Sequence, residues 1–435
     1  MLSARPVRGR FRRLRSAANA ILIAILFAIP WIRIHGQPLV LLDIPGRRFH
    51  VFGLVIFPQE LFFLWLLVIG AALALFFFTA LLGRLWCGWA CPQTVFTDLY
   101  AGIARRIQGW TGATRPRRVA AWRLVVTHAV WLALSAVVAL HLVGYFRSPY
   151  EILAGLASGV VYPTSLAFLG VGTALTYFDF ALVRQTFCKY LCPYARFQSV
   201  LFDRDTLVVA YDTPRGEPRG KPGRTTGDCV DCGLCVAVCP TGIDIRRGLQ
   251  LECIACTQCI DACDGVMERL ARPRHLIGYR SLAGLEGRSA RLLRPRTAIY
   301  ACLLAAVVVA FVTLLAERLP MDLTVAHSGA ALVAHAADGR TGNAFTLRIT
   351  NRALAPQRFR LALEEDEKHD LELVAGLNPI PVDGASSLQT SVFVLERAGE
   401  RPASRDIRFV LEPEGGGPRI VRGARFVATG GGDED

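Results

Sequence analysis

Several motifs that define common enzyme classes are missing from this sequence. It has no Walker loop for nucleotide phosphates, no glycine motif for dinucleotides and no pattern of a hydrolytic triad. It has three methionines and no histidine-rich or methionine-rich tract, which argues against high-capacity metal storage. Any redox chemistry must therefore do without a bound flavin or nicotinamide and take its electrons from a partner or from quinol.

Acidic residues are also few, since 49 lysines and arginines outnumber 35 aspartates and glutamates and give a formal net charge of +14. A basic chain can bind nucleic acid, but no nucleic-acid motif accompanies this charge, and long apolar runs separate the arginine clusters. We therefore expect no nucleic-acid partner. The positive-inside rule for membrane proteins explains the arginines better.

Hydrophobic residues make up 53% of the chain, which is too apolar for an ordinary soluble protein. Five apolar runs approach the roughly 20 residues that a helix needs to cross a bilayer. These runs cover residues 20–34, 61–82, 124–146, 160–183 and 298–316. No small-x-small cleavage site follows the first run, so it predicts an uncleaved first span rather than a signal peptide.

Arginine is concentrated in alternate loops between these runs. The segments between spans two and three and between spans four and five are rich in arginine, whereas the opposite loops hold few, such as Arg47, Arg48 and Arg147. Because positive residues stay on the cytoplasmic side, we expect a multi-pass protein of the bacterial inner membrane, in contact with membrane lipid. Its N-terminus and its cysteine-rich loop would be cytoplasmic, and everything after the fifth span would be periplasmic.

The most specific feature is a pair of cysteine runs in that loop. The first reads C-x2-C-x2-C-x3-C-P, and the second has the same spacing with Asp264 in place of the proline. The runs consist of Cys229, Cys232, Cys235 and Cys239, followed by Cys253, Cys256, Cys259 and Cys263. This is the pattern of bacterial two-cluster ferredoxins, in which the first three cysteines of a run hold one 4Fe-4S cluster and the fourth crosses to the other.

The pattern predicts two sets of ligands. Cluster 1 takes Cys229, Cys232, Cys235 and Cys263, and cluster 2 takes Cys253, Cys256, Cys259 and Cys239. Two alternatives compete with this prediction: structural zinc, which usually takes two cysteine pairs, and a disulfide scaffold, which is typical of short secreted chains. Asp264 changes the turn after Cys263 but removes no ligand.

A second cysteine motif occurs twice, with the two copies 101 positions apart. Each copy is an aromatic residue followed by C-x3-C-P, at the inner end of the second or the fourth span, and the cysteines are Cys87, Cys91, Cys188 and Cys192. The i,i+4 spacing places two thiols on one helix face, and each proline starts a new segment. We hypothesise that the four thiols converge and bind or reduce a soft metal, with copper the leading candidate. The alternative is that they are free buried cysteines near helix ends, which are common.

The chain after the fifth span alternates apolar and polar residues in short strands that turn residues separate. This pattern predicts an antiparallel, immunoglobulin-like β-sandwich. The fold class is therefore a multidomain integral membrane protein, with an α-helical membrane bundle of about five spans, a bacterial two-4Fe-4S ferredoxin-like insert and the C-terminal sandwich. The predicted divisions are a basic N-terminus 1–19, a four-span membrane domain 20–212, a linker and dicluster ferredoxin domain 213–297, a fifth span 298–318, the sandwich 319–429 and a disordered tail 430–435.

Together these motifs resemble the cytochrome c oxidase accessory proteins of the FixG/CcoG type. The resemblance covers nearly the whole chain and is carried by the Leu-Asp-Ile-Pro segment and by the motifs around the cysteines, at residues 42–45, 86–98, 187–198 and 259–267. It implies a role in maturing cbb3-type cytochrome c oxidase, in which Cu(II) is reduced to Cu(I) and passed on. The implied partners are the oxidase or its assembly and copper-handling factors, with an unknown electron donor. Within this family Asp264 is expected.

Two other functions are compatible with these residues. The first is a quinol-oxidising electron-transfer subunit that serves a periplasmic reductase, and a quinol oxidation assay would distinguish it from a cupric reductase. The second is a non-catalytic scaffold for oxidase assembly, in which the sandwich docks the oxidase.

Overall fold

The computed structural model of the protein describes residues 4–34, 36–110, 118–160, 162–220, 227–328, 334–335, 341–364, 371–397 and 404–427. The predicted disordered tail, 430–435, lies outside these ranges. The chain divides into two compact units, Met1–Phe311 and Val312–Asp435.

The first unit is mainly helical. Its helices are α1 (Arg10–Ala28), α2 (Leu61–Leu82), α3 (Leu85–Trp89), α4 (Pro92–Ile107), α5 (Ala121–Gly144), α6 (Pro149–Ser158), α7 (Pro163–Tyr177), α8 (Pro193–Leu201), α9 (Thr213–Gly216), α10 (Leu234–Ala237), α11 (Gln258–Arg269), α12 (Leu282–Leu285) and α13 (Pro295–Ala316). Short 3-10 turns cover Ile29–Trp31, Pro58–Glu60 and Ile245–Arg247, and wider π-helical turns cover Phe178–Val183 and Phe187–Leu191.

Within the ranges given above, five helical segments are long and apolar enough to cross a membrane. They are Arg10–Trp31, Pro58–Leu82, Ala121–Gly144, Pro163–Val183 and Pro295–Ala316. The prediction of about five spans is confirmed. The first helix starts ten residues before the predicted apolar run, at Arg10, because its first turns are arginine-rich and are held by contacts with other parts of the unit.

Helices α4 and α8 start at Pro92 and Pro193, the prolines of the two C-x3-C-P motifs. Proline suits the first helical position, because its ring fixes a helical φ and the missing N–H has no partner there in any case. In each motif the second cysteine, Cys91 or Cys192, is consequently the extended residue just before the helix.

Helix α4 packs into the membrane part of the unit through aromatic residues one turn apart. Phe96 and Tyr100 are buried and contact Trp131 of α5 and Phe180. The Tyr100 hydroxyl lies 2.7 Å from Ser135 Oγ, and the Trp131 indole N–H donates to the Tyr100 carbonyl oxygen at 3.0 Å. These contacts fix α4 against α5 and against the turn that follows α7.

The described residues of this unit include seven short strands. They are β1 (Arg33–Ile34), β2 (Gln37–Pro38), β3 (Val40–Asp43), β4 (Arg48–Val51), β5 (Leu54–Ile56), β6 (Val208–Tyr211) and β7 (Ile277–Arg280). Strands β3, β4 and β5 form an antiparallel sheet between α1 and α2, and β6 pairs with β7. Strands β6 and β7 flank the cysteine-rich segment in sequence, and they pack with it around a small core that includes Ile260, Met267 and Leu276.

The second unit is a β-sandwich. Its strands are β8 (Met321–His327), β9 (Ala334–His335), β10 (Thr341–Asn351), β11 (Gln357–Leu363), β12 (Leu371–Ala375), β13 (Ile380–Val382), β14 (Ser386–Glu396), β15 (Arg405–Pro413) and β16 (Ile420–Phe426). One antiparallel sheet has the order β12-β14-β10-β8 with β9 on β10, and the other has the order β13-β11-β15-β16.

Alternating residues of the two sheets of this sandwich meet in one core. Phe345 of β10, Phe359 of β11, Phe409 of β15 and Phe426 of β16 are fully buried in it. Alternation places every second side chain on the inner face, so these strands bury one face and expose the other. The predicted sandwich is confirmed.

Candidate iron-sulfur and thiol sites

A first cavity in the cysteine-rich segment is lined by the thiols of Cys229, Cys232, Cys235 and Cys263, with mainly apolar neighbours. Helix α10 begins directly after Gly233, whose φ of +67° is favourable only for glycine, and this turn brings the first three cysteines around the cavity. Cys263 arrives from α11, in the second cysteine run.

A second cavity is lined by Cys239, Cys253, Cys256 and Cys259, and Cys235 contributes to its wall as well. The remaining wall is apolar and includes Ile243, Ile245 and Ile254. In both cavities the fourth cysteine comes from the opposite run. The structure therefore brings together each of the two predicted sets of four cysteines, and the shared Cys235 places the two cavities side by side.

The residues around both cavities fit a 4Fe-4S cluster, which requires four soft thiolates in an apolar surrounding. Burial raises the pKa of the Cys253 and Cys263 thiols to about 12, since a thiolate loses its hydration there. Bound iron would supply the positive charge that holds the thiolate form. Across the ranges that the structure describes, no three His, Cys, Asp or Glu side chains are grouped tightly enough for a single metal ion.

Asp264, in place of the second proline, has a role of its own. Its carboxylate accepts a hydrogen bond from the main-chain N–H of His275 at 2.7 Å, and the His275 ring lies 3.6 Å from its other oxygen. This contact ties α11 to the turn before β7. His275 has a φ of +64°, so the carboxylate holds a turn that is unusual for a residue other than glycine.

The four cysteines of the C-x3-C-P motifs also come together. Cys87 lies on α3, Cys188 lies in the π-helical turn Phe187–Leu191, and Cys91 and Cys192 precede α4 and α8. Burial and, to a smaller extent, the nearby Cys91, Cys87 and Cys192 thiols together raise the pKa of Cys188 to about 12. These three thiols therefore lie within electrostatic range of Cys188, although among the described residues no three ligating side chains are close enough to hold one metal ion as the site stands.

Gln198 of α8 holds the Cys87 thiol. Its side-chain oxygen and nitrogen lie 3.5 and 3.3 Å from Cys87 Sγ. Burial raises the pKa of Cys87 to about 11, against an opposing effect of the Gln198 hydrogen bond. Gln198 thus links the second copy of the C-x3-C-P motif, which precedes α8, to Cys87 of the first copy. The spacing of the cysteines did not predict this role of Gln198.

Helix α3 lies directly against the loop that carries the second cysteine run. A Cβ atom added to Gly88 would lie only 2.5 Å from the carbonyl oxygen of Ala255 and 2.6 Å from that of Ile254. Both oxygens belong to the main chain between Cys253 and Cys256. Glycine at position 88 therefore permits the residue next to Cys87 to contact the lining of the second cavity.

Two buried arginines reinforce this contact. Arg84, 5% exposed, donates hydrogen bonds to the Cys253 carbonyl oxygen at 2.9 Å and to the Ala195 carbonyl oxygen at 3.0 Å, and it also bonds the Leu251 carbonyl oxygen. Arg15, 2% exposed, donates from Nε to the Gly88 carbonyl oxygen at 2.6 Å. Sequence reasoning missed both roles, because it assigned these arginines only to the charge of the cytoplasmic side.

Trp89 provides a further link between α3 and the cysteine-rich segment. Its indole N–H donates to the Tyr279 hydroxyl at 3.0 Å. Burial, with smaller contributions from Cys256, Cys253 and Cys259, raises the pKa of Tyr279 to about 12. The thiol motif and the cysteine-rich segment thus share side-chain hydrogen bonds and main-chain packing.

Comparison with known families agrees with this architecture. Residues 183–282 match the family model described as a 4Fe-4S dicluster domain, and residues 62–111 match a 4Fe-4S binding domain. Residues 311–429 match the IG-like fold at the C-terminus of FixG. The first two matches include all four cysteines of the C-x3-C-P motifs, as well as both cysteine runs.

Similar proteins cover the whole chain. Protein RdxA of Cereibacter sphaeroides is 39% identical over 97% of this chain and 96% of its own length. Nitrogen fixation protein FixG of Rhizobium meliloti is 41% identical over 63% of this chain and 56% of its own length. The crystal structure of a FixG-related protein from Vibrio parahaemolyticus aligns with 20% identity over 25% of this chain and 97% of that chain, with a TM-score of 0.22.

The family matches and the likeness to RdxA, on a chain with five helices long and apolar enough to cross a membrane and two cysteine-lined cavities, lead to one assignment. The chain belongs to the FixG-like family and is a membrane iron-sulfur electron-transfer protein of the FixG/Rdx type.

Proposed function

We propose that this protein reduces Cu(II) to Cu(I) at Cys87, Cys91, Cys188 and Cys192 during the assembly of cbb3-type cytochrome c oxidase. The observation that supports this most directly is the contact of Gly88 with the carbonyl oxygens of Ile254 and Ala255, which joins the thiol motif to the second cavity. Electrons that reach this cavity have a short path through packed atoms to the thiols.

Two 4Fe-4S clusters are the proposed electron carriers. One is held by Cys229, Cys232, Cys235 and Cys263, and the other by Cys253, Cys256, Cys259 and Cys239, which are the sets that line the two cavities. When bound, such clusters supply single electrons. Reduction of Cu(II) to Cu(I) consumes one electron, so one oxidised cluster balances each copper ion reduced.

The thiol site suits the product of this reaction. Thiolate sulfur is a soft ligand and prefers Cu(I) to harder divalent ions. The raised pKa values of Cys87 and Cys188, about 11 and 12, mean that both are neutral thiols near pH 7 when no metal is bound. Each cysteine that binds copper as a thiolate must therefore release its proton to solvent, and at Cys87 the Gln198 amide, 3.3 Å from Sγ, can donate a hydrogen bond to the thiolate that remains.

We place the protein in the bacterial inner membrane. The arginine-rich loops support an orientation with the N-terminus and the ferredoxin-like segment in the cytoplasm and the β-sandwich in the periplasm. In this orientation a cytoplasmic donor reduces the clusters, and the oxidase or its copper-handling factors receive Cu(I).

The test begins with protein purified without oxygen and analysed for iron, sulfide and copper. Its clusters are reduced, the excess reductant is removed, and Cu(II) is added in the presence of a chromogenic Cu(I) chelator. We expect about one Cu(I) per reduced cluster in the wild type and a loss of most of this activity in the double variant Cys87→Ser, Cys91→Ser.

Cys302→Ser is the matched control, because Cys302 is an exposed cysteine on α13 outside both motifs. It should reduce copper at the wild-type rate. A protein with both clusters reduced that leaves Cu(II) unchanged would refute the proposal. Rapid cluster reduction by a quinol would instead favour the quinol-oxidising alternative.

A further inference from the structure

A polar cavity of about 350 Å³ lies beside the second cysteine cavity and has no part in the proposed copper chemistry. Its walls come from α4, from the two π-helical turns after α7, and from residues next to Cys239 and Cys259. The charged side chains that line it are Asp98, Arg105, Arg184 and Lys189. Its volume lies within the range of small-molecule sites.

Arg184 is a buried, charged residue of this cavity with an unsatisfied hydrogen-bond donor. It is 9% exposed, and within the described part of the chain its Nε atom has no hydrogen-bond partner. Its main chain has a φ of +57° and is fixed by two hydrogen bonds. The Arg184 N–H donates to the main-chain carbonyl oxygen of Asp179, and the Arg184 carbonyl oxygen accepts from the Gln93 side-chain amide at 3.0 Å. The chain thus holds Arg184, with its buried Nε atom unpaired among the described residues, in the wall of the cavity in a conformation that surrounding contacts stabilise.

The acidic residue of the cavity, Asp98, compensates these cations only in part. Asp98 is already bound by Arg12 at 2.5 Å and lies 3.7 Å from Arg15. Burial lowers the pKa of Arg105, and Asp98 opposes this in part. Burial also lowers the pKa of Arg184, and the positive charge of Arg105 lowers it further. Buried like charges are costly unless a counter-charge joins them.

We propose that this cavity binds a phosphate group, held by Arg184, Arg105 and Lys189. A guanidinium donates paired hydrogen bonds to phosphate oxygens, and a phosphate carries enough negative charge to balance cations that Asp98 leaves uncompensated. Because Arg184 directly follows the span Pro163–Val183, the group can come from an anionic lipid headgroup or from a free phosphate. This binding does not depend on copper reduction.

The experiment uses the full chain in nanodiscs of phosphatidylcholine, with inorganic phosphate titrated by calorimetry at low salt. We expect Arg184→Gln to weaken phosphate binding about tenfold or more, the usual effect of losing a charged hydrogen bond. Arg106→Gln is the matched control, because Arg106 is the exposed neighbour of Arg105 on α4 and does not line the cavity. It should change the affinity less than about twofold.

A second arm distinguishes the two sources of phosphate. In nanodiscs that contain phosphatidylglycerol, a headgroup in the cavity should abolish the phosphate isotherm, and wild-type protein should retain more of this lipid on delipidation than Arg184→Gln. A free-phosphate site keeps its isotherm in both kinds of disc. Either result supports the proposal.

Iron and sulfide analysis checks that the variants are folded. If Arg184→Gln loses iron, Lys189→Gln replaces it, and a weaker isotherm is again expected. The proposal is overturned if neither phosphate nor phosphatidylglycerol binds, or if Arg106→Gln weakens binding as much as the cavity variants.

Discussion

The guanidinium of Arg84 donates a hydrogen bond to the carbonyl oxygen of Cys253 at 2.9 Å, and the same side chain donates to Ala195 at 3.0 Å. Arg84 stands three residues before Cys87, and Cys253 opens the second cysteine run. One buried side chain thus connects the end of the second span, the lining of a proposed cluster site and helix α8. Its removal should disturb all three.

We expect Arg84→Met to destabilise the cysteine-rich segment by about 3 kcal/mol, because it leaves buried carbonyl oxygens without donors. Methionine keeps much of the side-chain volume, so the loss reflects hydrogen bonds rather than a cavity. The measurement is the rate of iron release from the purified protein on mild heating. Arg196→Met, next to Ala195 but exposed, should release iron at the wild-type rate, and equal rates in the two variants would contradict the role of Arg84.

A second prediction concerns Gly88. An alanine there would bring its Cβ to 2.5 Å from the Ala255 carbonyl oxygen, and because this oxygen and that of Ile254 belong to the main chain, α3 must move away from the cysteine loop. We expect Gly88→Ala to cost about 1–3 kcal/mol and to slow electron transfer to the thiols, although alanine favours helix more than glycine does.

Gly102→Ala is the control for this variant, because a Cβ at Gly102 of α4 meets no atom within 4 Å. It should be neutral or slightly stabilising. Single-turnover reduction of Cu(II) by prereduced protein measures the electron transfer. Unchanged turnover and stability in Gly88→Ala would show that the close packing is dispensable.

The limits of sequence reasoning are visible in these same residues. Cysteine spacing predicted which thiols line each cavity, because four ligands of one cluster impose that spacing on the chain. The role of Arg84 was not predictable, since its acceptors lie 111 to 169 residues away and form a site only after folding.

A pH prediction follows from His50 on β4, in the sheet between the first two spans. Burial lowers its pKa from 6.5, Arg48 lowers it further, and Asp43 opposes this only in part. The unfolded segment therefore binds a proton more readily than the folded one. Stability of the sheet should be full above about pH 6.5 and should fall as the pH decreases through this value towards the lower folded pKa.

Hydrogen exchange of β3, β4 and β5, corrected for intrinsic rates, would measure this loss between about pH 5 and pH 7. The variant His50→Gln should remove the dependence. His275→Gln, a change at an exposed histidine elsewhere in the unit, should retain it. Protection that is constant over this range would show that the pKa of His50 is the same in the folded and the unfolded segment.

The final prediction concerns the link between the two sheets of the sandwich. Asn343 of β10 is fully buried, and its amide donates to the Val427 carbonyl oxygen at 2.9 Å and accepts from the Val427 N–H at 2.6 Å. It therefore pairs with the main chain directly after β16, which belongs to the opposite sheet. Asn343→Ala leaves both main-chain groups without these partners and should destabilise the sandwich by about 2–4 kcal/mol.

Asn343→Asp separates the two hydrogen bonds, because a carboxylate can still accept from the Val427 N–H but cannot donate to its carbonyl oxygen. The buried charge adds a cost of its own, so aspartate should be no better tolerated than alanine. The control is Gln389→Ala, because Gln389 of β14 is exposed and its loss should leave the stability of the sandwich unchanged. Asn351→Ala is unsuitable, since Asn351 is also buried and donates to three carbonyl oxygens. The rate of proteolysis of the full chain would compare the stability of the sandwich in the wild type and the variants. Faster cleavage confined to β16 in Asn343→Ala would show that the Asn343–Val427 pair holds β16 to the opposite sheet.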